Sequence, residues 1–154
     1  VAFEETAPTD SIHFECDGRL VSQALTNVLK NALEAINARM TAGDVTPGRV
    51  AIHLQIKNGR VAIAIKDNGV GLPTEQRHRL TEPYVTTRAK GTGLGLAIVR
   101  KILEDHGGEL SLEDSFDEGT GEIAGALIRM QFPLRQSKHE QELTHEQERV
   151  AGRA

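Results

Sequence analysis

Aromatic side chains are scarce in this chain. They make up 3% of 154 residues, and Trp is absent. The core must therefore be aliphatic, and there is little from which to build a stacking platform for nucleic-acid bases. A basic face is lacking too: 18 Lys and Arg stand against 22 Asp and Glu, for a formal net charge of −4, which argues against a phosphate-backbone surface. The single cysteine, Cys16, excludes an intrachain disulfide and a cysteine zinc cluster. It favours a reducing compartment and reads as a small buried side chain. No apolar run approaches the ~18 residues of a membrane-spanning helix, and no signal peptide is visible. The chain opens VAFEETAPTDS without an initiator Met, which reads as a piece of a longer protein whose sensor or membrane portions lie elsewhere.

What is present is an ordinary globular composition, 38% hydrophobic and 26% charged, in a length that suits one domain. Residues 12–16, IHFEC, alternate and predict a short strand, with Asp17 as the N-cap of a helix over about Gly18 to Arg39. Leu20, Val21, Ala24, Leu25, Val28, Leu29, Ala32, Leu33 and Ile36 form its apolar stripe. Beside that stripe Asn27, Lys30, Asn31 and Glu34 share one side at offsets of three, four and seven. Alternation in 50–56 and 61–65 around Asn58-Gly59 predicts a hairpin. TEQRHRL suits one or two helical turns, and residues 81–91 read as a mobile loop. A helix is expected from Thr92 to His106, ended by Gly107-Gly108, then strands over Glu109–Glu113 and Ala126–Phe132 around an acidic turn region. Residues 135–154 have lost nearly all large apolar side chains and read as a solvated helix or disordered tail beyond a 1–134 domain. The order predicts an α+β two-layer sandwich, its mixed, mostly antiparallel sheet covered by helices on one face.

Gly91, Gly93 and Gly95 run straight into an apolar helical segment. Glycines let backbone amides approach an anion, and a helix N-terminus supplies free N–H groups and partial positive charge. Thr86, Thr87, Arg88 and Lys90 stand just upstream. Three familiar phosphate loops do not fit. Leu96 follows Gly95 where a P-loop needs Lys. Leu96 also occupies the place of the dinucleotide fingerprint's third Gly, and no strand precedes the turn. A protein-kinase glycine loop lies between strands rather than before a helix.

Three separated motifs, NVLKNALEA (27–35), DNGVGLP (67–73) and KGTGLGLAIV (90–99), together resemble the N-box and two G-boxes of the sensor histidine kinase ATP-binding domain. That domain belongs to the gyrase, chaperone, histidine-kinase and mismatch-repair (Bergerat-type) ATPase superfamily. The resemblance covers about residues 11–134, and EPYVTTRAKGTGLGLAIVRKILEDHGG (82–108) looks most like nitrogen-regulation kinases of the membrane-bound NtrY type. It implies ATP and Mg²⁺ as cofactors, a cytosolic location, a response regulator as partner, and phosphoryl transfer to a His on a separate dimerisation hairpin.

Carried over residue by residue, the resemblance gives Asp67 the adenine amino group to recognise, and makes Gly69 and Gly71 bare backbone beside the purine. It gives Asn31 the Mg²⁺, sets Asn27 and Lys30 toward the phosphates, and counts Ala35 among the nucleotide-binding residues. Thr86, Thr87, Arg88 and Lys90 form the lid, with Arg88 among the catalytic group (Asn27, Lys30, Asn31, Arg88). Tyr84 anchors that lid. Gly91, Thr92, Gly93, Leu94, Gly95 and Leu96 form the phosphate-facing turn. The hydrolase branches carry a Glu where this chain has Asn27; an amide takes no proton at neutral pH, so efficient hydrolysis is not expected.

None of His13, His53, His78, His106, His139 or His145 sits in an acceptor motif. His139-Glu140 and His145-Glu146 lack the basic-Asn-Pro pattern that should follow. The acceptor hairpin is expected before Val1, and His106 reads as a helix C-cap. One departure stands out. The family often has Gly-Thr directly before its last strand, whereas here Gly119-Thr120 is followed by GEIA and Gly125-Ala126 enter the strand. That leaves open whether Thr120 reaches the adenine pocket. A non-catalytic interaction module retaining the fold, or a Ser kinase or ATPase of the same superfamily, are the competing readings.

Overall fold

The computed structural model describes residues 1–75, 77–85, 91–117 and 119–134. Strand β1 (Ala2–Thr6) is followed by helix α1 (Gly18–Thr41), the hairpin β2 (Arg49–Lys57) and β3 (Arg60–Asp67), and a 3₁₀ turn (Arg77–Thr81). Helix α2 (Gly95–Asp105), β4 (Glu109–Phe116) and β5 (Ile123–Pro133) complete the order. The sheet runs β1-β2-β3-β5-β4, with β1 parallel to β2 and every other pair antiparallel.

Helix α1 begins where Asp17 Oδ1 accepts from the backbone N–H groups of Arg19 and Leu20 at 2.9 and 3.1 Å. A good cap of this kind stabilises a helix by about 1 kcal/mol. Its buried stripe, Val21, Ala24, Val28, Ala32, Ala35 and Ile36, packs with Val99, Ile102 and Leu103 of α2 against one face of the sheet. That face presents Val50, Ile63, Ile65, Ile128, Met130 and Phe132, consistent with the period-two pattern of the strands. Two sandwiched layers follow from these faces. The hairpin turns at Asn58 and Gly59, both with positive φ (53° and 68°), the backbone that an Asn-Gly pair adopts most readily.

His106 caps α2 and ties the two helices together. Its Nε2 accepts from the Asp17 N–H at 3.0 Å, so Nδ1 carries the proton and donates to the Ile102 carbonyl at 2.7 Å.

Four expectations need correction. Residues 12–16 form no strand; the first strand is Ala2–Thr6. The alternation was real, because Ile12 and Phe14 are half-buried and the Phe14 ring lies 5.5 Å from that of Phe132, but no neighbouring strand is there to pair. Cys16 is exposed, because the chain turns away from the core there to place Asp17 at the helix cap. Helix α2 starts at Gly95 rather than Thr92, since Gly93 has φ +67°, which a right-handed helix cannot accommodate. Strand β4 runs on through Phe116, and β5 begins at Ile123. The strand-like register thus continues into the stretch that reads as an acidic turn, Asp114 facing Ala126. The tail at 135–154, with His139 and His145, lies outside the described residues.

Candidate functional site

One cavity of about 350 Å³ opens between α1, the ends of β3 and β5, and the glycine-rich turn before α2. Its size suits a small-molecule ligand. The three sequence motifs meet here. From α1 come Asn27, Lys30, Asn31 and Ala35; from the end of β3 come Asp67 and Gly71. Gly91, Thr92, Gly93, Leu94, Gly95 and Leu96 line the opposite wall.

At one end Asp67 is only 4% exposed. Its Oδ1 accepts from the Gly69 N–H at 2.8 Å and, more weakly, from the Ala126 N–H at 3.4 Å. The carboxylate is thus oriented by backbone from the turn after β3 and from β5, as an acceptor on the cavity wall. Gly125 makes this approach possible: its φ is +150°, and a Cβ there would collide with the Asp67 carbonyl oxygen. Gly69 acts one layer back. A Cβ on it would lie 2.6 Å from Ala35, so its bareness lets the loop close on α1, where the Val70 N–H donates to the Ala35 carbonyl at 3.2 Å. Asn68 points away and staples the entry to β2, accepting from the Arg49 N–H at 2.7 Å and donating to the Pro47 carbonyl at 2.9 Å. Thr120 stays at its own turn, bonded to Asp117, and Ala126 rather than Thr120 is on the cavity wall.

The other end is built from side chains and an open helix terminus. The Asn27 Nδ2 is buried without a protein hydrogen-bond partner, an unsatisfied donor that a bound acceptor would relieve. Lys30 is 73% exposed and only 3.9 Å from Glu34, an ion pair too open to hold it firmly. The N-cap of α2 is Leu94, whose own side chain makes no capping hydrogen bond. A Cβ added at Gly95 would lie 3.7 and 3.8 Å from the Asn31 amide atoms, so the bare helix start faces Asn31 directly. The unsatisfied N–H groups and dipole of such a terminus favour an anion.

Tyr84 is 79% exposed and lies off the cavity wall. Its backbone is in the left-handed region at φ 65°, and its N–H donates to the Gly93 carbonyl at 3.0 Å. A Cβ on Gly93 would lie 2.6 Å from the Tyr84 carbonyl carbon. Thr86, Thr87, Arg88 and Lys90 lie outside the described residues. Sequence reasoning missed the apolar walls, among them Ile65, Leu72, Leu80, Ile98 and Ile128. Ile65, Ile98 and Ile128 signalled only membership of apolar strands and a helix, which does not tell a cavity wall from packed interior, and Leu72 and Leu80 stand in no apolar period at all.

A two-layer sandwich whose N-box helix, Asp-ended strand and glycine-rich helix start share one cavity defines a Bergerat-type nucleotide-binding domain. Residues 16–136 match the family described as histidine kinase-, DNA gyrase B- and HSP90-like ATPase, and the chain belongs to that family. It is 53% identical over 134 residues to nitrogen regulation protein NtrY of Azorhizobium caulinodans, covering 86% of this chain and 17% of that protein. It is 39% identical to an NtrY-like putative sensor histidine kinase of Rickettsia typhi, covering 82% of this chain and 19% of the relative. Among solved structures, the catalytic domain of histidine kinase ThkA superposes with a TM-score of 0.68 at 28% identity, over 86% of this chain and 78% of that one. The mycobacterial sensor histidine kinase MprB gives 0.69 at 29%, over 88% and 84%. The chain is thus an ATP-binding catalytic domain of the histidine kinase type, similar to those of NtrY-like sensor kinases. It spans about a fifth of the length of those curated relatives. No helix among the described residues is long and apolar enough to cross a membrane.

Proposed function

We propose that this domain holds ATP with adenine on Asp67 and the phosphates between Asn31 and the start of α2, and delivers the γ-phosphate to a histidine on a dimerisation hairpin elsewhere in the parent protein. The observation that carries the reading is the pairing, in one cavity, of a buried, backbone-oriented carboxylate with a helix N-terminus, at Leu94 and Gly95, that faces Asn31. A carboxylate accepts from the exocyclic amine of adenine and repels the carbonyl that guanine presents at that position.

The unsatisfied Asn27 donor and the Asn31 amide fit a polyanion with its divalent cation. Mg²⁺ binds few protein ligands and keeps phosphates and waters, so Asn31 would be its protein contact and its chemistry would be charge neutralisation. Lys30 adds a positive charge at the same rim. Phosphoryl transfer needs mainly positioning and charge stabilisation, and Asn27 at the place of a general base keeps water from being activated. In the parent protein a response regulator Asp then receives the phosphate, with the domain in the cytosol; likeness to NtrY points to nitrogen regulation.

Calorimetric titration with ADP and a non-hydrolysable ATP analogue, with and without Mg²⁺, tests the reading. Saturable binding that collapses in Asp67→Asn is expected. Wild-type chain that binds neither nucleotide overturns it.

A further inference from the structure

The proposed base end of the cavity has a second support that none of the sequence motifs contains. Arg77, at the start of the 3₁₀ turn, grips Asp114 of β4 with both guanidinium nitrogens, Nη2 to Oδ1 at 2.7 Å and Nη1 to Oδ2 at 3.1 Å. The side chains are 30% and 18% exposed, so this fork-to-fork pair is half-shielded from water. Such geometry is among the stronger kinds of side-chain contact and fixes orientation as well as distance. The Arg77 Nε also donates to the Pro73 carbonyl at 3.4 Å, which fastens the guanidinium to the loop leaving the Asp67 motif.

Its position gives the pair a role. Asp114 faces Ala126 across the β4–β5 ladder, and the Ala126 N–H donates to the Asp67 carboxylate. Leu72 and Leu80, on either side of Arg77 in sequence, both line the cavity. The segment carrying them is anchored to the sheet by this fork beside the strand positions that orient Asp67. We infer that Arg77 and Asp114 are positioning residues for the base: they hold the Leu72–Leu80 wall at the spacing that a purine against Asp67 requires. The inference rests on the nucleotide reading above and adds a determinant of affinity at its base end.

The same two strands supply a control. On the other face of the sheet Arg129 pairs with Glu113 at 2.9 Å, with side chains 31% and 42% exposed, away from the cavity. Arg77→Ala, Asp114→Asn, the double variant, Arg77→Lys and Arg129→Ala would each be titrated with ADP and with adenosine, and melted without ligand. Loss of a half-buried bidentate pair should weaken ADP and adenosine binding alike, by about tenfold. The double variant should be no weaker than either single one. Arg77→Lys, which keeps charge but not the fork, should fall between. Arg129→Ala should lower the melting temperature by a similar amount and leave both affinities unchanged. Unchanged affinities in Arg77→Ala and Asp114→Asn beside a wild type that binds overturn the inference. So does an affinity loss in Arg129→Ala equal to theirs, because the pair would then act only through general stability. A wild type that binds neither ligand overturns the nucleotide reading itself.

Discussion

The two ends of the cavity are made differently. The Asp67 end is set by backbone: Gly69 and Ala126 N–H groups fix the carboxylate, Gly125 admits no side chain, and Arg77 grips Asp114 beside it. The Asn31 end is set by side chains and a helix start: among the described residues the Asn27 amide nitrogen has no hydrogen-bond partner, Lys30 is exposed, and the N-cap of α2 is Leu94, which supplies no capping side chain. The first end is complete before anything binds and can select. At the second, the Asn27 amide donor has no protein partner among the described residues, and a bound acceptor would satisfy it.

The largest effect should come from breaking the rigid end. Gly125→Ala places a Cβ against the Asp67 carbonyl at a φ that side chains rarely adopt, and should cost about 2–4 kcal/mol of stability, read by denaturant unfolding, together with adenine nucleotide binding. Breaking the open end should separate chemistry from base recognition. Asn31→Ala, placed in the full-length kinase, should lower autophosphorylation by about a hundredfold or more while adenosine affinity of the isolated chain stays within a factor of two or so. Unaltered phosphorylation would refute the role of that end.

Gly95→Ala sharpens the contrast. The added Cβ meets only ordinary contacts at Asn31, and alanine should stabilise the helix start by up to about 1 kcal/mol. The same methyl narrows the gap to Asn31, so affinity for the triphosphate analogue should fall several-fold and adenosine affinity should not. A variant both more stable and a weaker binder would mark that end as built for its ligand.

The smallest effect serves as a distant reference. Asp44, beyond the far end of α1, has its pKa lowered from 3.8 to about 2 by the Thr46 hydroxyl and N–H and by Arg39. A depressed folded-state value stabilises the fold above the unfolded pKa and loses that contribution as pH falls through the folded one. The stability gap between wild type and Asp44→Asn should therefore shrink between about pH 4 and pH 2, and both variants should bind nucleotide equally at neutral pH.

The same division explains what could be read in advance. The hairpin and α1 were legible because burial leaves a period in the sequence, and Asn58-Gly59 names its own turn. The polar residues on the cavity wall were named in advance through the resemblance of the three motifs to the histidine kinase boxes, because a polar row beside an apolar stripe is by itself no different from solvated surface. Strand β1 was not, since all five of its residues are exposed and it is held by its backbone register with β2, which leaves no apolar pattern. Arg77 and Asp114 are 37 residues apart and look like ordinary surface charges until the register brings Asp114 opposite Ala126. Leu72 and Leu80 are isolated apolar residues in polar stretches, so no period marked them as part of a cavity wall.

The hydrogen bond between the Asp17 N–H and His106 joins α1 and α2 at the ends remote from the cavity. At 1.5 Å per residue, Asn27 lies about 15 Å along α1 from this tie and Gly95 about 16 Å along α2. The tie therefore fixes one end of a helix pair that Val28, Val99, Ile102 and Leu103 hold together in one core, so the spacing of the two helices at the cavity is set by packing and by this bond together.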